Sequence, residues 1–440
     1  MYTYKQIGSI SYPILLSLLA QNIINVTDTA FLGHVGEVEL GASAMGGLFY
    51  ICAFTIAFGF STGSQIVIAR RNGEKEYAKT GPVMMQGIFF MLALATTLFS
   101  LSKLFTDDLM RLMISSDLLF EKTMDFIDVR VFGFFFSFIN VMFRALYVGI
   151  TRTKVLTLNA ICMAVTNVIL DYVLIFGKWG FPEMGIKGAA ISSVISEFVS
   201  ILFFILYTYF NVNIEKYGLN KIRSFDFGLL KKILNISIFT MIQYFISMST
   251  WFMFFVAVER LGQRELAVAN IVRSIYMVLF IPINSLSTAT NTLVSNAIGS
   301  GNADQVVRII KRISKLSILT MACFSAVVSI IPNTLISVYT NDITLIKASI
   351  PSLYVIAAAM LVCSVGSIAF SGVSGTGNTK SALVIEISTL FFYIIYLLII
   401  AVYLRMPVEI CFISEFIYFI GLLVLSTIYL KKGKWQHKKI

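Results

Sequence analysis

The chain has 440 residues, of which 58% are hydrophobic and only 13% charged, with a mean hydropathy of +0.85 and a formal net charge of +11. A soluble domain of this length needs far more surface charge, which excludes a soluble enzyme or binding module. The positive charge could suit nucleic acid, but basic residues flanking membrane spans explain it better, so no nucleic-acid partner is expected.

Apolar runs recur from end to end at about the 20 residues a helix needs to cross a bilayer. Twelve are predicted, near 10–31, 43–69, 81–103, 128–150, 155–177, 185–210, 230–258, 265–297, 313–337, 348–372, 380–404 and 408–430. They run continuously apolar rather than alternating, which excludes a membrane β-barrel. The first run is long and starts soon after Lys5, so it reads as a span and not as a cleavable signal. With the N-terminus placed in the cytoplasm, inner flanks collect about twice as many Lys and Arg as outer flanks, so both termini are expected inside. The outer stretch 106–128 gathers Asp107, Asp108, Asp117, Glu121, Asp125 and Asp128. All five cysteines fall within apolar runs, with no disulfide or metal spacing. The class predicted is an all-α polytopic membrane protein.

Several spans carry polar residues that membrane depth makes expensive. Gln21, Asn25 and Asp28 follow i, i+4, i+7 spacing and form one stripe on the first span. Pro13, in the same span, is a candidate hinge, because proline removes a backbone bond and bends a helix. Asn167 and Asp171 are i, i+4 on the fifth span, with Asn159 near that face. A carboxylate at such depth costs about 2.5–3.5 kcal/mol on insertion scales, so it faces a cavity, a partner or an ion. Two carboxylates brought together cannot both stay ionised cheaply; a proton or a bridging cation resolves the conflict. Carboxylate and amide oxygens are hard ligands that suit Na⁺ at Asp28, Asn167 and Asp171, while an isolated carboxylate suits H⁺. The bland alternative is that these groups only bond helix to helix.

Other embedded groups read more simply. Glu197 and Glu415 sit at matched positions and suggest a structural or vestibule role over coupling, whereas Glu386 has no counterpart and could bind a proton or neutralise a cytoplasmic Lys. Arg144 can snorkel to the inner surface, and Arg273 is expected to pair with Glu259 or Glu265. The aromatic and Met excess mostly meets lipid or other helices. A minority, with Phe134, Phe138, Met248, Trp251 and Met253 as candidates, would line a cavity that accepts flat lipophilic cations.

The halves repeat. Gly36-Glu37-Val38-Glu39-Leu40 returns as Gly262-Gln263-Arg264-Glu265-Leu266, and Gly149 to Lys154 returns as Gly375 to Lys380, both at an offset of 226. Ile195-Ser196-Glu197-Phe198 returns as Ile413-Ser414-Glu415-Phe416. An even number of spans per repeat gives parallel pseudo-symmetry and a cavity expected between the halves. The domains expected are a six-helix lobe at 1–210, a cytoplasmic linker at 211–228, and a six-helix lobe at 229–440 with a basic cytoplasmic tail. At the offset, Asp28 falls on Phe254 and Asp171 on Leu397, so the polar set belongs to the first repeat alone.

There is no phosphate-binding GxxxxGK[ST] motif, and the only histidines are His34 and His437. No nucleophile cluster suggests an enzyme, and no cofactor is expected beyond a coupling ion.

These residues resemble the MATE (multidrug and toxic compound extrusion) family. The resemblance rests on Pro13, Gln21 and the run Asn25 to Gly33, on Asn167 to Asp171, and on Met184 to Ala190. It implies twelve helices in two bundles, alternating access, and efflux of cationic or amphipathic drugs by a monomer in a bacterial inner membrane, in exchange for H⁺ or Na⁺. Within the family the chain is similar to the DinF-like branch, whose coupling carboxylates lie in the N-terminal lobe. Gln243 stands where the NorM-like branch has Glu, and Ile24 where archaeal relatives have Tyr. Ser193 falls where the family often has Thr near the coupling site. A lipid-linked oligosaccharide flippase of the same superfamily is the rival; it would need a basic cavity, and only Arg144 and Arg273 are available.

Overall fold

The structure is a computed structural model that describes residues 2–220, 225–433 and 435–436. Part of the expected linker, 221–224, lies outside the described residues, as do Lys434 and 437–440 of the basic tail, His437 included. Every regular element among the described residues is helical.

In chain order the helices are α1 Tyr4–Val35, α2 Glu37–Gly73, α3 Thr80–Met113, α4 Asp117–Arg130, α5 Gly133–Gly149, α6 Lys154–Ile175, α7 Gly185–Asn211 and the short α8 Ile214–Tyr217. The second half follows with α9 Phe227–Glu259, α10 Gln263–Gly299, α11 Val306–Ile330, the short α12 Pro332–Ser337, α13 Ile343–Gly375, α14 Thr379–Leu397, the short α15 Val408–Cys411 and α16 Ser414–Lys432. Eleven of these stretches are long and apolar enough to cross a membrane; α4 and α5, bent by 51° at a short break, make the twelfth. The fold is therefore the twelve-span bundle the sequence predicts.

The fourth span corrects the sequence reading. Expected at 128–150 behind a polar outer segment, it begins at Asp117 as an amphipathic helix. Phe120, Thr123, Phe126 and Ile127 are buried at helical spacing, while Asp117, Glu121, Asp125 and Asp128 take the other positions. Averaged hydropathy hides such a helix because half its faces are polar. Ser116 caps it by accepting from the Leu119 N–H. The break after Arg130 leads to Gly133. A Cβ there would collide with the Arg130 guanidinium and lie 2.6 Å from Glu197 Oε2, so only glycine admits this ion pair at the bend.

By residue contacts the chain divides into two compact units, Tyr12–Met241 and Ile242–Ile440 with Met1–Ser11. These limits fall inside α1 and α9, away from the expected 210 and 229. In the first unit α6 packs along α7, and α2 against α4 and α5. In the second, α13 packs against α10, α11 and α16.

The duplication is visible in the elements. α2 starts at Glu37 after Gly36, and α10 at Gln263 after Gly262; α5 ends at Gly149 and α13 at Gly375. Stacked ring pairs also repeat at the 226 offset: Tyr50 with Phe54 at 6.5 Å, and Tyr276 with Phe280 at 5.9 Å.

Candidate functional site

α6 presents Asn167 and Asp171 on one face, one turn apart, and both are fully buried. α7 is held against this face by small residues. A Cβ at Gly188 would lie 2.7 Å from the Leu174 carbonyl, so glycine is what allows the two backbones to approach there. Ala190 and Ser192 are likewise without exposed surface. The Met184 N–H donates to the Leu174 carbonyl at 2.9 Å and closes the α6–α7 connection.

α1 brings in Asp28, half-buried, with its carboxyl within hydrogen-bonding reach of the Asp171 carboxyl. Both Asp171 oxygens, Asp28 Oδ1 and both side-chain polar atoms of Asn167 are buried without a hydrogen-bond partner. Two carboxyl groups thus face each other with neither Asp171 oxygen bonded to a donor, and buried acceptors left this way favour a proton or a cation. The oxygen chemistry fits Na⁺ as well as H⁺. Among the described residues no group of three or more His, Cys, Asp and Glu comes together, so any metal ion here would draw on the Asn167 amide or backbone oxygens.

The other residues singled out are placed less centrally. Asn25 is exposed, and its recorded contact is its backbone carbonyl, which accepts from Thr29 Oγ1 at 2.8 Å. Ser193 is half-buried, and its carbonyl accepts from Ser196 Oγ. Its neighbour Ser192 is fully buried and lies near Asp171, with its hydroxyl donating to the Gly188 carbonyl at 2.8 Å. The signal was present in the buried i, i+4 series Gly188, Ser192, Ser196 and Ser200.

Pro13 is buried within α1, and its carbonyl accepts from Thr157 Oγ1 of α6 at 2.9 Å. The helix that carries Asp171 therefore also grips the proline of the helix that carries Asp28.

An ion pair stands beside the carboxyl pair. Arg130 Nη2 donates to Glu197 Oε1 at 2.7 Å and Nη1 to Oε2 at 3.0 Å, while the guanidinium lies 3.6 Å over the Tyr50 ring. The Tyr50 hydroxyl donates to Ser137 at 2.7 Å. Asn140 and Ser200 continue the network to Asn159. Glu197 thus has the structural setting expected for it. Arg273 departs from expectation: it pairs with Glu415 at 2.9 Å and not with Glu259 or Glu265.

The aromatic candidates split. Phe134 and Phe138 have no exposed surface; Phe134 stacks on Tyr50 at 5.0 Å and touches Phe138 at 5.4 Å. They are packed within the first unit, where Phe134 joins α5 to Tyr50 of α2, and present no surface to a cavity in this structure. In the second unit Met248 and Trp251 are half-buried and Met253 is exposed.

Comparison with known proteins matches this architecture. The MatE family model matches residues 13–173 and 237–400. A probable multidrug resistance protein NorM of Thermotoga maritima is 25% identical over 87% of the chain and 82% of its own length. One of Pasteurella multocida is 25% identical over 88% and 83%. Among solved structures, a MOP superfamily transporter from Pyrococcus furiosus superposes with a TM-score of 0.88 at 20% identity, covering 98% of this chain and 97% of that one. The eukaryotic MATE transporter AtDTX14 gives 0.88 at 17% identity, covering 98% and 96%. The chain is a multi-pass membrane protein that belongs to the MATE family of multidrug efflux transporters, a family of transporters and not of enzymes.

Proposed function

We propose that the protein is a secondary active antiporter that exports cationic or amphipathic compounds in exchange for H⁺ or Na⁺. The observation that supports it most is the Asp28–Asp171 pair, two carboxyls close together at membrane depth with neither Asp171 oxygen bonded to a donor. Such a pair holds one proton or one cation tightly and exchanges it when the helices move. Asn167 supplies an amide oxygen one turn from Asp171. Asn25 is a peripheral member, and Ser192 replaces Ser193 as the serine at the site. Pro13 is the bend through which the state of the pair alters α1, with Thr157 as its anchor. The placement of the pair in the N-terminal half agrees with a DinF-like coupling mode.

In this reading the protein works as a monomer in a bacterial inner membrane, both termini cytoplasmic, with six-helix lobes at 1–210 and 229–440 joined by the linker 211–228. Met248, Trp251 and Met253 contact the drug, since soft and aromatic side chains accept varied cations without a precise fit. The flippase reading is weakened because Arg273 is committed to Glu415 and Arg144 lies 5.0 Å over the Phe58 ring.

Reconstituted vesicles under separate Na⁺ and pH gradients test the proposal. Drug movement driven by one gradient, and lost in Asp28→Asn and Asp171→Asn, is the expected result. Full transport in both variants would end the coupling assignment.

A further inference from the structure

The second unit buries a polar cluster that the coupling pair does not use. Arg273 of α10 donates to Glu415 of α16 at 2.9 Å and to the Tyr393 hydroxyl of α14 at 3.2 Å, with its guanidinium 4.2 Å over the Phe254 ring. Close to it, Glu386 of α14 is 1% exposed. Its Oε1 accepts from Ser247 Oγ of α9 at 2.6 Å and from the Tyr418 hydroxyl of α16 at 2.7 Å.

The charges around it do not balance. The titratable and charged groups that face the cluster are Tyr418 and Glu415 from α16, Arg273 and Tyr276 from α10, Tyr393 from α14 itself, and Cys363 from α13. α9 offers Ser247 and Gln243, which do not titrate. One guanidinium meets two carboxyls, and the Arg273–Glu415 pair uses it. Among the described residues no ion pair reaches Glu386, so an ionised Glu386 would be an uncompensated charge at membrane depth.

The hydrogen bonds point the same way. In a neutral carboxyl group, the carbonyl oxygen accepts and the other oxygen donates. Both recorded donors to Glu386 converge on Oε1. Gln243 sits one turn before Ser247 on the same face of α9, and its Oε1 is buried without a donor. The α9 face that donates to Glu386 through Ser247 thus also carries an acceptor with no donor.

We infer that Glu386 is a second proton-binding site, which holds an exchangeable proton on Oε2 within the second unit, separately from the Asp28–Asp171 pair. It does not descend from the repeat: at the 226 offset Glu386 falls on Ala160. Each half therefore has its own carboxyl site, at a different place in the helix pattern.

Infrared difference spectroscopy on the full chain in lipid nanodiscs tests this, stepping from neutral to alkaline pH. One protonated-carboxyl band should vanish in Glu386→Gln, persist in the Asp28→Asn, Asp171→Asn double variant, and shift in Tyr418→Phe, where one hydrogen bond to the carbonyl oxygen is gone. An unchanged set of bands in Glu386→Gln overturns the assignment, and so does loss of every band in the double variant. If Glu386→Gln does not fold, Tyr418→Phe decides: unshifted bands refute the site. No drug transport is measured, so the outcome is independent of the coupling proposal.

Discussion

Glu197 and Glu415 occupy the same place in the two repeats, and each closes a buried ion pair, but the arginine arrives from a different helix. In the first unit it is Arg130 at the end of α4; in the second it is Arg273 within α10. Each pair has a tyrosine of the 226 offset beneath its guanidinium, Tyr50 at 3.6 Å and Tyr276 at 5.5 Å. Glutamate and tyrosine thus define the position, and the neutralising cation can come from any neighbour with reach, because a guanidinium binds by a planar fork at the end of a long stem. The lone carboxyls behave differently. At the 226 offset Asp28 and Asp171 fall on Phe254 and Leu397, and Glu386 on Ala160. Paired charges repeat in both halves and the lone carboxyls do not, which supports the proposal that the latter are the exchanging groups.

The sharpest way to break this comparison is to neutralise one group of each kind. Asp171→Asn and Asp28→Asn should reduce gradient-driven drug efflux to background while the purified protein melts as before. A melting loss as large as that of an ion-pair variant would make the pair scaffold instead. Next in size are the ion pairs. Glu415→Ala leaves Arg273, only 4% exposed, buried without its carboxylate, and breaking a buried pair costs about 3–5 kcal/mol. Glu197→Ala strands Arg130, which is 13% exposed, and should cost less. Thermal unfolding in detergent measures both, and equal losses would remove burial as the reason.

Gly188→Val forces the α6 and α7 backbones apart near Asp171, with an overpacking cost of about 1–3 kcal/mol. Efflux should fall further than stability, as seen by pairing a transport assay with a melt. Ser192→Ala should shift the pH or Na⁺ dependence of transport several-fold, and Ser193→Ala should leave it alone; the reverse order would restore the serine that the family resemblance suggested. The smallest effect lies outside the membrane. Asp342 caps α13 by accepting from the Thr344 and Leu345 N–H groups, and its contacts with Thr344 hold its carboxyl below the ordinary 3.8. A depressed acid stabilises above its unfolded value and loses that contribution as pH falls through its folded value. The melting difference between the wild type and Asp342→Ala should therefore be present near neutrality and disappear in strong acid.

Much of this was legible in the sequence. Continuous apolar length fixes membrane helices, because lipid leaves the backbone no other hydrogen-bond partner. The repeated turns at Gly36 and Gly262, and at Gly149 and Gly375, are local, and local geometry is written in adjacent residues. The carboxylates Asp28 and Asp171 stood out because charge is rare at that depth. What escaped was anything set by helix rotation. Phe134 and Phe138, candidates for cavity lining, are packed inside the first unit, and Ser192 is more deeply buried than Ser193 because one residue turns a helix by roughly 100°. The helix at 117–130 fell largely outside the span expected at 128–150 because an amphipathic helix is apolar on one side only.

The sequence by itself determined the class, the span count, the repeat and the two expensive carboxylates, all of which follow from composition and spacing along one strand of chain. Tertiary structure alone decided that Asp28 meets Asp171, that Arg130 finds Glu197 and Arg273 finds Glu415, and that Glu386 is left with hydroxyls in place of a cation. The physical reason is the same in each case. A charge at membrane depth is resolved by whatever neighbouring helices bring within about 3–4 Å, and that neighbourhood is a property of packing between segments far apart in the chain.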